Sequence, residues 1–368
     1  MPKIIISTTN DISTDNRVNK VALLLLDLGY EVLWVGRKLE NSLPLQRDYS
    51  THRMKLWFIK GALFYAEFNI RLFFFLFFRK SDVLLSNDLD TLLANFLVSR
   101  FKRKELVYDT HEYFLGVPEI QDNALAKGVW TKIERWIFPK LKTVFTVNQS
   151  IAQLYENDYG IRPKVFRNIS PVHLPEVLKT RQELGLPTDK KIIINQGSGM
   201  NVDRGIEEAL EAILNIENAV LLLVGSGDVI PQLKAEVAQR NVQDKVIFVG
   251  RVPYQELLQY TANADVGVSL DKDTNINYRY SLPNKLFDYI HCGVPVVCSN
   301  VVEVKSIIDN FEIGKSIDKV TPQNIETALI KVLRHGKSFY TKNLNVASSQ
   351  LTWDIEKIPV MEVYTQFL

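Results

Sequence analysis

The chain has 368 residues, of which 46% are hydrophobic and 23% are charged, and its formal net charge is +2. This length is enough for two globular domains with separate cores, and the small net charge excludes a chain built mainly to bind nucleic acid. Two cysteines, Cys292 and Cys298, are too few for the disulfide framework of a small secreted protein. They predict buried thiols in a reducing, cytoplasmic compartment.

Short apolar runs alternate with helical patterns along most of the chain. The predicted strands are 3–7, 31–36, 82–86, 105–109, 143–147 and 164–166 in the first half, and 191–195, 219–225, 245–250, 264–270 and 294–299 in the second. Such alternation is typical of βαβ units and of parallel sheets with helices on both faces. The predicted fold class is therefore α/β, with two doubly wound Rossmann-like domains that face a central cleft.

Residues 166–190 contain three prolines and no strong strand pattern, which predicts a linker. The predicted domains are 1–167 and 168–350, and 351–368 is predicted to be an amphipathic helix that returns to the first domain. The first residues predict a strand and not a signal peptide, and no uncharged run reaches the 18 residues of a membrane-spanning helix. In doubly wound domains, ligands bind beyond the carboxyl ends of the strands, so we expect functional residues in the loops there.

The segment 61–80 is unusually apolar and includes seven consecutive large apolar residues, 72–78. Between 51 and 104, ten basic residues stand against four acidic ones, which predicts a basic face on the first domain. The segment is either an interfacial helix on an anionic leaflet or a helix covered by its own domain. We predict a mixture, in which one face packs in the core while phenylalanines and bases of 55–80 face lipid.

The loops after the first half's strands offer polar candidates. Asp88 follows the predicted strand 82–86, and His111 and Glu112 follow the predicted strand 105–109. A histidine at a strand end can bond a sugar hydroxyl or a leaving oxygen at neutral pH, although a single histidine is as often structural.

Two loops of the second half combine glycines with a cation. Gly197 and Gly199 follow a strand and let a ligand approach the backbone closely, and Arg204 stands before a helix, where it can bind a phosphate with two hydrogen bonds. Gly225 and Gly227 form a similar turn after the next strand. Each turn alone is a weak signal, because most glycine turns only connect elements.

The stretch "SLPNKLFDYIHCGVPVV" predicts a helix from about Leu282 that stops at Gly293. Lys285 adds a positive charge to its first turn, and Asn284 and Asp288, four residues apart, share a face. Asp288 is suited to accept two hydrogen bonds from a ribose diol. The alternative is a surface ion pair between Lys285 and Asp288.

Several familiar motifs are absent from the sequence. It has no P-loop, no nucleophile elbow, and no G-x-G-x-x-G after the first strand, which argues against a simple NAD enzyme. The pairs Asp88-x-Asp90 and Asp271-x-Asp273 match a metal-binding pattern only by two residues, and no His or Cys cluster has zinc spacing. We therefore predict no metal and no cofactor.

The ordered motifs "LVYDTHEYF", "GSGMNVDRGIEEALEA", "LLVGSGD", "VIFVGRVPYQELLQYTANADVGV" and "LPNKLFDYIHCGVPVVCS" resemble the retaining GT-B glycosyltransferases of family 4. The similarity extends over nearly the whole chain. Two positions depart from the family pattern: Tyr280 stands eight residues before Asp288, where the family has a glutamate, and Ser198 stands where it has a first phosphate-binding cation. The first loop also lacks the glycine pair that many members carry.

The resemblance implies a role for each matching residue. Arg204 would bind the diphosphate, together with the backbone amides of Asn284, Lys285 and Leu286. Asp288 would bind the ribose, the loop of Arg251 and Val252 would bind the base, and His111 would contact the transferred sugar. The implied catalytic residues are His111, Arg204 and Lys285. The implied donor site comprises Gly197, Ser198, Gly199, Arg204, Gly225, Gly227, Arg251, Val252, Tyr280, Asn284, Lys285, Leu286 and Asp288. The acceptor-side residues are Arg17, Asp88, His111 and Glu112.

The implied reaction moves a hexose from a nucleoside diphosphate sugar to a saccharide acceptor, with retention of configuration and without a metal. The acceptor is expected to be lipid-linked, in cell-surface polysaccharide synthesis at the inner face of the membrane. Two alternatives stay open: a nucleotide-sugar epimerase of the same architecture, and a non-catalytic two-lobed sugar-binding protein.

Overall fold

The computed structural model describes residues 1–13, 15–40, 42–172 and 174–368, without the side chain of Glu119. These residues form two compact units. One unit combines Met1–Asn168 with Glu356–Leu368, and the other is Ile169–Ile355.

The first unit is built on a seven-stranded sheet with the order β3-β2-β1-β4-β5-β6-β7, in which all neighbours are parallel. Its strands are β1 Lys3–Asp11, β2 Glu31–Arg37, β3 Ser50–Met54, β4 Val83–Asn87, β5 Glu105–Thr110, β6 Thr143–Thr146 and β7 Lys164–Val165. Its helices are α1 Asn16–Asp27, α2 Gly61–Phe77, α3 Leu89–Lys102, α4 Pro118–Gln121, α5 Ala124–Ile137 and α6 Gln149–Tyr159. The isoleucines of β1 are buried on both faces of the sheet, as in a parallel sheet covered by helices.

The second unit has a six-stranded parallel sheet with the order β10-β9-β8-β11-β12-β13. Its strands are β8 Lys191–Gly197, β9 Ala219–Gly225, β10 Val246–Gly250, β11 Val266–Ser269, β12 Val296–Ser299 and β13 Gly314–Ile317. Its helices are α7 Ile206–Leu214, α8 Ile230–Gln239, α9 Tyr254–Asn263, α10 Ile276–Arg279, α11 Asn284–His291, α12 Val302–Phe311, α13 Pro322–His335 and α14 Lys337–Gln350. The prediction of two doubly wound α/β domains is confirmed.

The end of the chain differs from the single closing helix that was predicted. It contains two short helices, α15 Trp353–Glu356 and α16 Ile358–Thr365. Pro359 stands in the first turn of α16, where its missing N–H does no harm, but it cannot continue a preceding helix. The Tyr30 hydroxyl donates to the Tyr364 carbonyl at 2.7 Å, which joins α16 to the rest of the first unit.

Helix α2 has two apolar stripes. One stripe, spaced four residues apart, is buried and consists of Phe64, Phe68, Leu72 and Leu76. The last three of these pack in one cluster with residues of β1 to β4 and α3. Ile70, Phe74 and Phe77, with Phe78 just beyond the helix, are exposed. The helix is therefore not fully covered by its own unit. None of the helices in the described ranges has both the length and the apolarity needed to cross a bilayer.

Both sheets reverse their strand order at one point, between β1 and β4 in the first unit and between β8 and β11 in the second. A reversal leaves a crevice at the carboxyl ends of the two strands, because their following helices lie on opposite faces.

Candidate active site

Three consecutive residues at the end of β8 each contact a different part of the second unit. The Asn195 side chain accepts a hydrogen bond from Lys285 Nζ at 3.0 Å, and the Gln196 amide donates to Asp288 at 2.8 Å. The carbonyl of Gly197 accepts from the backbone N–H of Ser226 at 3.0 Å. Residues far apart in the sequence thus meet at the carboxyl end of one strand.

Arg204 is held on two sides. Its guanidinium donates to Asp271 at 2.6 Å and lies over the ring of Tyr278, with Cζ 4.0 Å from the ring centroid. Asp271 follows β11, so this ion pair bridges the strand reversal between β8 and β11. Nε of Arg204 and Oδ1 of Asp271 are buried and make no hydrogen bond to any residue that the structure describes. The guanidinium is therefore oriented but keeps donor capacity.

Lys285 belongs to the same group of charges. Burial lowers the pKa of its ammonium, with the Asp271 carboxylate opposing this shift and the Arg204 guanidinium adding to it. Two cations thus share one nearby carboxylate. An anion that bound beside them would relieve this imbalance and favour the charged form of Lys285.

Asp288 is buried, and both of its oxygens accept hydrogen bonds within the unit. The Tyr254 hydroxyl donates to Oδ1 at 2.7 Å, and the Gln196 amide donates to Oδ2. Burial and the Asp288 carboxylate both raise the pKa of the Tyr254 hydroxyl, which therefore stays a donor. The alternative of a surface ion pair between Lys285 and Asp288 is wrong, because Lys285 points to Asn195.

The glycines near this group differ in whether the structure leaves space for a side chain. A Cβ on Gly225 would lie 1.9 Å from the Gly197 carbonyl, and one on Gly227 would lie 2.0 Å from the Met200 carbonyl, so both are required by packing. A Cβ on Gly199 would lie within 4 Å of none of the described residues other than its chain neighbours, and the φ of Gly199 is not in the left-handed region. Packing within the chain does not explain Gly199, whereas the close approach of a ligand would.

The other predicted donor residues surround this group at different depths. Arg251 Nε donates to the Ser226 hydroxyl at 2.6 Å, which brings it to the turn after β9. The Leu286 side chain is in the core, and its N–H already donates to the Pro283 carbonyl at 3.1 Å. The remaining four lie on the surface or half-buried near the same strand ends; they are Ser198, Val252, Tyr280 and Asn284. Their roles stay predictions.

In the first unit, His111 lies between two carboxylates. Nδ1 is 3.2 Å from Asp88, Nε2 is 3.4 Å from Asp109, and the backbone N–H of His111 donates to Asp88 at 2.8 Å. Burial disfavours the charged imidazole, but Asp88 and Asp109 outweigh burial and raise the pKa of His111 to about 9. His111 is therefore a protonated donor at neutral pH.

Arg17 stands behind this pair instead of at the surface. Its guanidinium is buried, donates to Asp109 at 2.8 Å and to the Phe166 carbonyl at 3.2 Å, and lies over the Phe166 ring. Burial would raise the pKa of Asp109, but Arg17 and His111 hold it well below its usual range. Arg17 thus keeps Asp109 ionised, and its predicted acceptor-side role stays a prediction. The Glu112 side chain is exposed next to His111.

Three functional candidates were missed or discounted in the sequence. Asp271 was discounted as half of a metal motif, yet it orients Arg204. Tyr254 and Gln196 hold Asp288 from two other elements. Their partners lie between 34 and 92 residues away in the chain, so no local pattern marks them. Among the described residues, no group of three or more potential ligands is arranged to hold a metal ion.

Two doubly wound α/β units in one chain are the architecture of the GT-B fold. The chain matches two family models, "Glycosyl transferases group 1" over 177–343 and "Glycosyltransferase Family 4" over 16–171. The matched ranges do not overlap and leave only 1–15, 172–176 and 344–368 unmatched. The chain belongs to this family of glycosyltransferases, and the predicted membership is confirmed.

Individual relatives are distant. An uncharacterized glycosyltransferase of Methanocaldococcus jannaschii is 29% identical over 161 residues, which are 43% of this chain and 40% of that protein. Sucrose-phosphate synthase from Thermosynechococcus elongatus superposes with a TM-score of 0.79 at 18% identity and covers 100% of this chain and 99% of its own. Anabaena HepE in complex with UDP superposes with a TM-score of 0.74 at 14% identity, with both chains covered to 100%. The curated relatives are matched over only 38–42% of their length.

Proposed function

We propose that this protein transfers a hexose from a nucleoside diphosphate sugar to a saccharide hydroxyl, with retention of configuration. The observation that carries the proposal is the joint position of Arg204, Lys285 and Asp288 around the end of β8. Two cations there can bind a diphosphate, and the buried carboxylate of Asp288 on α11, which contacts Gln196 of the same strand, can accept hydrogen bonds from a ribose.

The charges of the group suit a leaving diphosphate. A diphosphate bound beside Arg204 and Lys285 favours the charged form of Lys285, whose pKa burial and Arg204 lower and Asp271 raises. When the bond between the anomeric carbon and the phosphate oxygen breaks, negative charge grows on that oxygen. Oriented cations that need no rearrangement stabilise such charge at the moment it forms. The chain's own residues can therefore serve this step, and we propose that no metal takes part.

The chemical step can be written with balanced atoms. The acceptor oxygen bonds to the anomeric carbon on the face from which the diphosphate leaves, and the hydroxyl proton passes to the leaving phosphate oxygen. We assign no covalent nucleophile to this chain, which is in keeping with substitution on one face. In this proposal His111, protonated at neutral pH, donates to a hydroxyl of the transferred sugar from Nε2, which makes no hydrogen bond to the described residues.

We further propose that the acceptor is a saccharide carried on a lipid and that the protein works at the inner face of a membrane, in the synthesis of a cell-surface polysaccharide. The exposed aromatic side chains of α2 and the basic residues around them support this location. The UDP complex of the Anabaena neighbour makes uridine donors the first to test.

A screen of nucleotide sugars by thermal shift, followed by product analysis, tests the proposal. We expect one nucleoside diphosphate sugar to raise the melting temperature and to yield a glycosylated acceptor with the donor's anomeric configuration. Conversion of the donor to its epimer without transfer would indicate the epimerase instead. Binding of free sugars without any response to nucleotide sugars would indicate the sugar-binding protein, and an inverted product would contradict retention.

A further inference from the structure

A basic cleft lies at the amino-terminal edge of the first sheet, at the far end of the strands from His111. It has a volume of about 270 Å³ and is formed by the last turn of α3, the start of β5 and the loop before β6. Its cations are Arg100, Arg103, Lys104, Lys140 and Lys142, and Glu105 is the one acidic residue that lines it. The six residues of β5 separate this cleft from His111 by about 20 Å.

Among the described residues, most of these cations have no carboxylate partner. Lys104 lies 3.3 Å from Asp82, but within the described ranges Arg100, Arg103, Lys140 and Lys142 form no ion pair with a carboxylate. Lys140 instead lies over the ring of Trp136 at 4.7 Å, and Arg100 lies over Phe96 at 5.5 Å. The helix dipole favours a cation at the end of α3, but Lys140 and Lys142 come from another element. A shared anion explains why both elements contribute.

An exposed apolar ridge adjoins the cleft. It consists of Leu63, Ile70, Phe74 and Phe77 on α2, with Phe78 after the helix and Phe101 on α3. On α2 these residues recur at intervals of seven, four and three, so they form one stripe opposite the buried one. A stripe of this kind needs a partner, because soluble proteins seldom leave contiguous apolar surface uncovered.

The last turn of α3 joins the ridge to the cleft. The rings of Phe73 and Phe101 are 6.3 Å apart, and Lys102 Nζ donates to the Phe77 carbonyl at 3.1 Å. Arg100 and Arg103, in the same turn, line the cleft. Trp57, at 84% exposure, lies beside α2 under the guanidinium of Arg71. Arg71 is itself paired with Glu67, whereas Arg100 and Arg103 form no ion pair within the described ranges. Aromatic side chains near such cations match the boundary between lipid tails and anionic headgroups.

We propose that this face binds an anionic lipid bilayer, with the ridge of α2 in the acyl boundary and a lipid phosphate in the basic cleft. The charge of the cleft selects an anionic surface, and the apolar ridge distinguishes a bilayer from a soluble polyanion. Neither feature belongs to the proposed donor site, so membrane binding and sugar transfer can be measured separately.

Vesicle flotation tests this proposal on the full chain. We expect the protein to bind phosphatidylcholine vesicles in which roughly one lipid in three is phosphatidylglycerol. We expect no binding to vesicles of phosphatidylcholine alone. Arg100→Gln with Arg103→Gln should weaken binding about 25-fold, because each cation near an anionic surface contributes about fivefold. Phe74→Ser with Phe78→Ser should abolish binding while the nucleotide-sugar thermal shift is unchanged.

Matched variants in the second unit serve as controls. Lys331→Gln with Lys342→Gln removes the same charge from exposed helix positions, and Phe339→Ser removes an exposed ring. These controls should bind vesicles like the unmodified protein. No binding of the unmodified protein to anionic vesicles would overturn the proposal, as would equal binding to neutral vesicles or equal losses in the control variants.

Discussion

The Asp88 carboxylate lies 3.2 Å from Nδ1 of His111 and also accepts the backbone N–H of His111. Asp88 adopts a φ of 57°, a conformation that costs residues other than glycine about 1–3 kcal/mol. A glycine would avoid that cost but would leave His111 without its nearest carboxylate. We infer that the strain at Asp88 is tolerated because its side chain fixes and charges the imidazole.

Replacing Asp88 with asparagine should lower the pKa of His111 below its value of about 9. Burial lowers the pKa of His111, and in this variant only the Asp109 carboxylate would remain to raise it. An NMR titration of the imidazole would show the shift, and the pH at which transfer activity falls on the alkaline side should move down with it. Asp189→Asn, at an exposed loop position, is the control. An unchanged His111 titration in the Asp88 variant would contradict the assigned role.

Replacing Arg204 with alanine should lower turnover by about 10²–10³-fold, because an oriented cation beside the leaving oxygen is lost. The single variant also leaves the buried Asp271 without its partner, which destabilises the unit. The double variant Arg204→Ala with Asp271→Asn removes this second effect. Turnover should stay low in the double variant, as measured with saturating donor. Recovery of normal turnover there would mean that Arg204 serves only the fold.

Replacing Gly199 with alanine should leave the fold intact but weaken nucleotide binding about tenfold or more, by a steric clash of about 1–3 kcal/mol with a ligand close to the backbone. The structure offers open space at this position and no left-handed φ. Calorimetry with the nucleotide found in the screen provides the measurement. Gly128→Ala, inside α5 and also in open space, should instead raise stability by about 0.5–1 kcal/mol without affecting binding. If both variants bind nucleotide equally well, Gly199 does not line the donor site.

The sequence predicted the central strands of both sheets but not the strands at two of the edges. The central strands are continuous apolar runs, because both of their faces are buried. β3 (Ser50–Met54) and β13 (Gly314–Ile317) are short and polar and pair on one side only, so their sequences resemble loops. Periodicity therefore indicates burial, and it fails where a strand is only partly buried.

In the candidate site, too, the sequence identified some residues and missed others. Arg204, Lys285 and Asp288 stand out locally, because each lies at a predicted strand end or in the first turns of a helix. Asp271 does not, because its importance comes from β11 lying next to β8, with 67 residues between the two partners. Sequence patterns identify residues suited to a ligand, whereas the residues that orient them depend on the order of strands in the sheet.

A substitution at Asp288 distinguishes a direct contact with the ribose from a purely structural role of this carboxylate. With the nucleotide that binds best, the unmodified protein should favour the ribonucleotide over its 2′-deoxy analogue, because a lost hydrogen bond to a charged group costs about 1.5–3 kcal/mol. Asp288→Asn should bind the ribonucleotide more weakly and lose most of this preference. Tyr254→Phe, which removes a donor to Asp288, is the control for disturbance of the pocket. A preference that survives in the Asp288 variant would show that its buried carboxylate only holds Gln196 and Tyr254 in place.

Asp90 predicts a pH dependence of stability in the first unit. Its side chain is buried and accepts a hydrogen bond from the Thr9 hydroxyl, while Oδ1 has no partner in the described part of the chain. Burial, with the negative charge of Asp88, raises the pKa of Asp90 to about 7. Because the unfolded chain loses this proton near pH 4, the folded state binds more protons between about pH 4 and 7. The free energy of unfolding should therefore fall as the pH rises across that range.

Asparagine mimics the protonated acid, so Asp90→Asn should remove the contribution of Asp90 to this loss of stability. The variant should be more stable than the unmodified protein at pH 8, by about 4 kcal/mol at most. Urea unfolding at pH 5 and pH 8 measures the difference. An Asp90→Asn variant that loses as much stability between the two pH values as the unmodified protein would show that Asp90 is already ionised in the fold.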